Sequence, residues 1–197
     1  MQAVFIQATK SPKQSIGKAI ELTKKAISLG ANYQALLGWL YVLVKQQDKA
    51  VIECQKAVEL LPSSALARTF YGLALNSVGR FEEAVHELKQ AVRLDPLSSS
   101  FVLRSLAFAS SLAGGHEEAI TAGKKAVEKG PNDILAHLIL VFVYDSAGYL
   151  EEAQSEAAEV LRLNPKFSVE EAGKRSSLKY QADKDRVSDA FRRAGLK

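Results

Sequence analysis

A chain of 197 residues with 47% apolar composition can bury a sizeable core, and its single cysteine, Cys54, rules out an internal disulfide and fits a reducing, cytoplasmic setting. The formal charge of +4 is too mild for a nucleic-acid binder, and it sits at one end: residues 166–197 hold nine Lys or Arg against five Asp or Glu, leaving seventeen of each sign elsewhere. The longest apolar runs, Ala35 to Val44 and His137 to Tyr144, fall short of the roughly 20 residues that a membrane helix needs, so no membrane span is expected.

At the amino end, Met1-Gln-Ala-Val-Phe-Ile lacks the charged start and cleavage site of a signal peptide. Residues 1–9 read as the remnant of a helix, and the chain is expected to be a fragment that begins inside a repeat. Ser11-Pro12 then offers an N-cap followed by proline at the first helical position, and the helix runs to about Leu29, where Gly30 closes it. Ala19 and Ala26 share the separation of Ala50 and Ala57 and of Ala84 and Ala91, which makes residues 1–30 a partial leading repeat.

Beyond it one period governs the chain. Pro62, Pro96, Pro131 and Pro165 lie 34, 35 and 34 residues apart, and Ala50, Ala84, Ala119 and Ala153 repeat the same intervals. Two residue types keeping one register at this period mark a helix-turn-helix solenoid. Four hairpins follow, at 31–64, 65–98, 100–133 and 134–167, with the one extra residue placed in the loop Leu97 to Ser100. Gly79, Gly114 and Gly148 stand at the turns inside three hairpins, where a left-handed residue is needed, whereas Lys45 takes that place in the first. The pairs Glu82/Glu83, Glu117/Glu118 and Glu151/Glu152 open second helices, where carboxylates suit the helix dipole. After Pro165 the period stops. Ser168-Val-Glu-Glu171 is a capping box, and Asp183 to Ala194 forms a further helix closed by Gly195. Residues 168–197 are therefore expected to be a helical cap over the last hairpin, with a separate docking segment as the alternative.

The repeats resemble the tetratricopeptide repeat, whose pattern runs W-x2-L-G-x2-Y, then A-x3-F, then P. Leu37-Gly38 with Tyr41, Ala50, Cys54, Ala57 and Pro62 carries the first match, with Gln34 where Trp is usual. Gly72, Ala84, Leu88, Ala91 and Pro96 carry the second; Leu106-Ala107, Ala119, Ala126 and Pro131 the third; Leu140, Tyr144, Ala153 and Pro165 the fourth. The resemblance implies an all-α, right-handed solenoid of helical hairpins and a protein-interaction role. The tail, through Phe167-Ser-Val-Glu-Glu, Tyr180-Gln-Ala-Asp-Lys-Asp-Arg186 and Phe191-Arg-Arg-Ala-Gly-Leu196, looks like the ending of the tetratricopeptide regions of bacterial class III adenylate cyclases. That likeness implies a regulatory module of a bacterial signalling protein, without the cyclase's catalytic domain.

In this fold the first helices line a concave groove, and 3/4 spacing selects the residues that face it. The slot after the small residue gives Trp39, Leu73, Phe108 and Phe142. Three positions before the small residue stand Ala35, Thr69, Arg104 and Leu138; four after it stand Val42, Asn76, Ser111 and Asp145; Phe70 and Phe101 join the same side. The expectation is an apolar groove for a helix or extended peptide, oriented by Arg104, Asn76 and Asp145. Family members that bind acidic C-termini use Lys, Asn or Arg in slots that here hold Ala35, Trp39, Phe70, Phe101 and Ser105, so a carboxylate clamp is not expected.

No catalytic constellation stands out. His86, His116 and His137 fall in different repeats, Cys54 fills a core slot, and Gly114-Gly115 lacks the Lys-Ser/Thr of a phosphate loop. The chain is read as a non-catalytic scaffold needing no metal or cofactor, with a protein or peptide partner. Self-association through the groove or a solenoid end is the alternative.

Overall fold

The computed structural model describes residues 12–197. Among them are eleven α-helices and no strand: α1 Pro12–Ser28, α2 Gln34–Leu43, α3 Gln47–Leu60, α4 Ala65–Ser77, α5 Phe81–Leu94, α6 Ser100–Leu112, α7 His116–Lys129, α8 Ile134–Ser146, α9 Leu150–Leu163, α10 Val169–Arg175 and α11 Gln181–Arg193. The helix remnant expected at residues 1–9 lies outside the described residues.

Three helices, α4, α8 and α10, start where a side chain replaces a missing partner of the first N–H groups. Ser64 accepts from the Ala67 N–H, Asp133 from the Leu135 N–H, and Ser168 from the Glu171 N–H. The first helix of each hairpin stops through one repeated device. At each hairpin turn a left-handed residue lets the next N–H bond back five positions: Gln46 to Tyr41, Arg80 to Leu75, Gly115 to Ser110 and Tyr149 to Tyr144. The left-handed residue is Gly79, Gly114 or Gly148 in three turns, and Lys45, at φ 58°, in the first. The loss of glycine at this turn therefore leaves its geometry unchanged, although a side chain there is strained.

α2, α4, α6 and α8 each contact the next in line, while α3, α5 and α7 each pack between their own partner and the following hairpin. The first helices thus form the inner layer of an arc and the second helices the outer one. Close approach explains the small residues: Ala50, Ala84, Ala119 and Ala153 are all fully buried, and a methyl added to Gly72 would strike the Leu88 side chain. Gly123, which vacates an aromatic slot, leaves room for Leu140 of the next hairpin, whose side chain reaches where a Cβ would stand. One polar staple recurs two repeats apart. Arg68 donates to the Pro62 carbonyl at 2.9 Å and to Glu87 at 2.6 Å, and His137 meets the Pro131 carbonyl at 3.1 Å and Glu156 at 2.6 Å.

The tail packs on the last hairpin and reaches beyond it. Val169, Ala190, Phe191, Ala194 and Leu196 join Leu138, Leu140, Phe142 and Tyr144 in one core, and the Val169 N–H donates to the Lys197 carbonyl. Between α10 and α11, residues 176–180 run back to the first two hairpins. α11 starts two residues before the expected Asp183.

Candidate functional site

The first helices present an aromatic series to the inner face. Trp39 stacks on Phe70, centroids 5.6 Å apart and planes 5° from parallel, and meets Phe101 edge-on at 5.8 Å. Phe108 and Phe142 lie 5.5 Å apart. Pairs at these separations add about 1 kcal/mol each beyond the area they bury, so the series is rigid as well as apolar.

The tail lies over part of this face. Among the predicted groove residues Val42, Asn76, Ser111, Leu138 and Phe142 are all buried, Phe142 and Ser111 completely. The tail reaches from Tyr180, whose ring lies against Gly79, along α11 to Arg193, whose guanidinium holds both Asp145 oxygens at 2.8 and 2.6 Å. Arg186 sits over the Phe142 ring, 5.8 Å from its centroid. The expectation that Phe142 and Asp145 face an incoming partner therefore does not hold for the folded chain, because the tail already covers the ring and neutralises the carboxylate. Asn76 Nδ2 reaches only as far as the Ser105 carbonyl, at 3.4 Å, and its Oδ1 has no hydrogen-bond partner among the described residues.

Other predicted groove residues keep part of their surface open. Ala35, Trp39, Phe70, Leu73, Phe101 and Phe108 are half-buried, Thr69 is buried with its hydroxyl bonded to the Ala65 carbonyl, and Leu66, Leu36 and Leu135 extend the strip as exposed leucines. Arg104 stands in the middle, 5.0 Å from the Phe101 centroid and 3.2 Å from an Asp133 oxygen, without hydrogen-bond alignment to it. Burial pulls this guanidinium below the usual arginine range, and the Asp133 carboxylate opposes that shift. Asp133 is in turn fixed by the Ser100 hydroxyl at 2.8 Å. Such an arrangement offers apolar contact with one oriented cation.

Sequence reasoning missed the residues that receive the tail: Lys45, Gln47, Asp48, Ser77 and Gly79. One signal for them was present, the lysine in a turn that otherwise takes glycine. Cys54 is fully buried, and burial with the Glu53 charge beside it pushes its thiol up to about 12, so it supplies no nucleophile at neutral pH. Among the described residues no His, Cys, Asp and Glu group is placed to hold a metal ion, and no helix is long and apolar enough to cross a membrane.

The tetratricopeptide repeat family model matches residues 65–96. Hsc70-interacting protein 1 of Drosophila melanogaster is 35% identical over 86 residues, 42% of this chain and 23% of that protein. The matched stretch therefore spans about a quarter of that relative's length. Among solved structures, TTC0263, a thermophilic TPR protein of Thermus thermophilus, superposes with a TM-score of 0.67 at 18% identity, covering 91% of this chain and 92% of that one. YrrB, described as a TPR protein with an unusual peptide-binding site, gives 0.58 at 22% identity, covering 91% and 90%. These neighbours share the helical order and the hairpin arc described above. The chain has the all-α hairpin-solenoid fold of these neighbours, and one stretch of it, residues 65–96, matches the tetratricopeptide repeat model.

Proposed function

We propose that the chain is a non-catalytic scaffold that binds an apolar helix or extended peptide in the open lane formed by Trp39, Phe70, Phe101 and Arg104. The observation that carries this reading is the row of half-buried aromatics continued by exposed leucines, Leu66 at 60% and Leu135 at 48%, on the part of the face that the tail leaves uncovered. A few hundred Å2 of apolar contact at about 25 cal/mol per Å2 yields several kcal/mol before association costs, so affinity is expected to be micromolar at best. Arg104 orients the partner through a carboxylate or carbonyl. Hsc70-interacting protein 1 and YrrB, known by their names for protein interaction and for a peptide-binding site, support an interaction role. The tail's likeness to the ends of class III adenylate cyclases supports placing the module in a cytoplasmic bacterial signalling protein.

The test is a peptide-display selection on the full chain. Selected peptides rich in apolar residues bind with micromolar dissociation constants and lose at least ten-fold affinity for Trp39→Ala/Phe70→Ala. Peptides that bind the variant equally well refute the lane.

Self-association is the second reading, favoured by Leu22 and Leu29, which are 57% and 79% exposed at the leading end. Light-scattering mass over a concentration series decides it. A dimer that Trp39→Ala/Phe108→Ala makes monomeric places the contact in the groove, and a mass constant at one chain rejects it.

A further inference from the structure

Residues 174–180 are held on the first two hairpins by contacts of the kind that recognise a peptide. The Lys179 N–H donates to the Ser77 carbonyl at 2.8 Å, Gln47 Nε2 to the Ser177 carbonyl at 3.0 Å, and Lys45 Nζ to the Lys174 carbonyl at 2.9 Å. All three read main chain and so carry no sequence preference. Selection lies in the side chains between them. Leu178 is 6% exposed, the Lys179 ammonium meets both Asp48 oxygens at 2.8 and 2.9 Å, and the Tyr180 ring lies so close to Gly79 that a methyl there would stand 3.2 Å from it. Ser176 at ψ 134° and Tyr180 at ψ 136° bound an extended stretch, residues 176–180, between the last turn of α10, which holds Lys174, and the start of α11.

The seat is marked by its own irregularity. Three hairpins put glycine at the left-handed turn, and the one that receives the tail puts Lys45 there, with its side chain on the tail's backbone. A strained lysine where the fold asks for glycine points to the contact it makes. The seat is also easily vacated. Lys179 and Asp48 are 39% and 76% exposed, so their attraction is screened, and α11 keeps its anchor at Phe191 and Leu196 when residues 174–180 leave.

We propose that the surface over the α2–α3 and α4–α5 turns is a second peptide site, selective for an extended segment carrying leucine, a basic residue and an aromatic residue in succession. In the resting chain residues 174–180 fill this site as an internal ligand. An external segment of the same chemistry enters by displacing them. This site is separate from the open lane around Trp39, and each stands without the other.

Tethering holds the resident segment at an effective concentration on the order of millimolar, so an external peptide competes at a disadvantage that loosening the tail removes. The test uses fluorescence anisotropy with a labelled peptide of residues 174–183, Lys-Arg-Ser-Ser-Leu-Lys-Tyr-Gln-Ala-Asp, on the full chain. Leu178→Ala/Tyr180→Ala binds it at least ten-fold more tightly than the wild type, and adding Gln47→Ala and Asp48→Lys weakens it again by about three-fold or more. A scrambled peptide does not bind. Equal affinity for wild type and double variant, or no binding to a double variant that retains the wild-type helical circular dichroism, overturns the proposal. If the double variant loses that signal, hydrogen exchange on the wild type decides: saturating peptide speeds exchange of the Lys179 amide and leaves Ala194 and Leu196 unchanged. An unaltered Lys179 rate overturns the proposal.

Discussion

Replacing Gly38 by alanine forces a methyl into the contact between α2 and α3. The added Cβ would stand 3.0 Å from the Ala50 carbonyl oxygen, 3.1 Å from the Cys54 nitrogen and closer still to Cys54 Sγ. The sulfur belongs to a side chain with 0% exposure and the other two atoms are helix backbone, so no rotamer change relieves all three. The helices must separate by several tenths of an ångström or more. Overpacking of this kind costs about 1–3 kcal/mol, and the backbone contacts place Gly38→Ala at the upper end. For a chain of this size that corresponds to a melting temperature lowered by roughly 6–12 °C, read by circular dichroism at 222 nm. Gly17→Ala is the control: nothing lies within 4 Å of the added methyl in α1, so removing a helical glycine gains up to about 1 kcal/mol. Adding Cys54→Ala to Gly38→Ala recovers part of the loss and leaves the share due to Ala50 and the Cys54 backbone. A Gly38→Ala chain that melts within 1 °C of wild type would refute the argument that backbone proximity sets this position.

Lys45→Gly releases a left-handed side chain worth about 1–2 kcal/mol of strain, so the first hairpin gains stability while the Lys179 amide exchanges faster, which native-state hydrogen exchange resolves. Phe191→Ala empties a site packed against Phe167 at 6.2 Å and in the same core as Phe142; a loss of about 3–5 kcal/mol is expected, with increased exposure of α8 to proteolysis. The Cys54 thiol titrates near 9.0 when unfolded and about 12 when folded, so above pH 9 the unfolded chain releases a proton that the fold retains. Stability therefore falls between pH 9 and 12 by up to about 1.4 kcal/mol per unit from this group, and Cys54→Ala removes that part of the slope in urea titrations.

The hairpins were legible because each repeated residue meets the same neighbour in every repeat. Ala84 is small for the reason Ala50 is, and a local pattern suffices to say so. The turn at Lys45 was not legible as left-handed, because three neighbouring turns held by glycine impose their geometry on a residue that would not choose it. Helical spacing set the aromatics on one side of the first helices, but spacing cannot report which of them the tail covers. That depends on where α10 and α11 lie, and their anchors, Val169, Leu178, Phe191 and Leu196, follow no period. Contacts such as Lys179 with Asp48 join residues more than a hundred positions apart, and they exist only once the tail has run back from the fourth hairpin to the first.

An open array of hairpins unravels from its ends, since a terminal unit has one neighbour where an interior unit has two. Here the last helices anchor on the fourth hairpin while their connecting segment is bonded to the first and second. The tail thus ties the first two hairpins to the fourth through contacts beyond those between neighbouring units. Opening of the first hairpin or of the fourth must strain this strap, so the two should be correlated events. Such a chain trades the stepwise melting of a linear array for a sharper transition, and its slowest folding step is the closure that links its most distant residues.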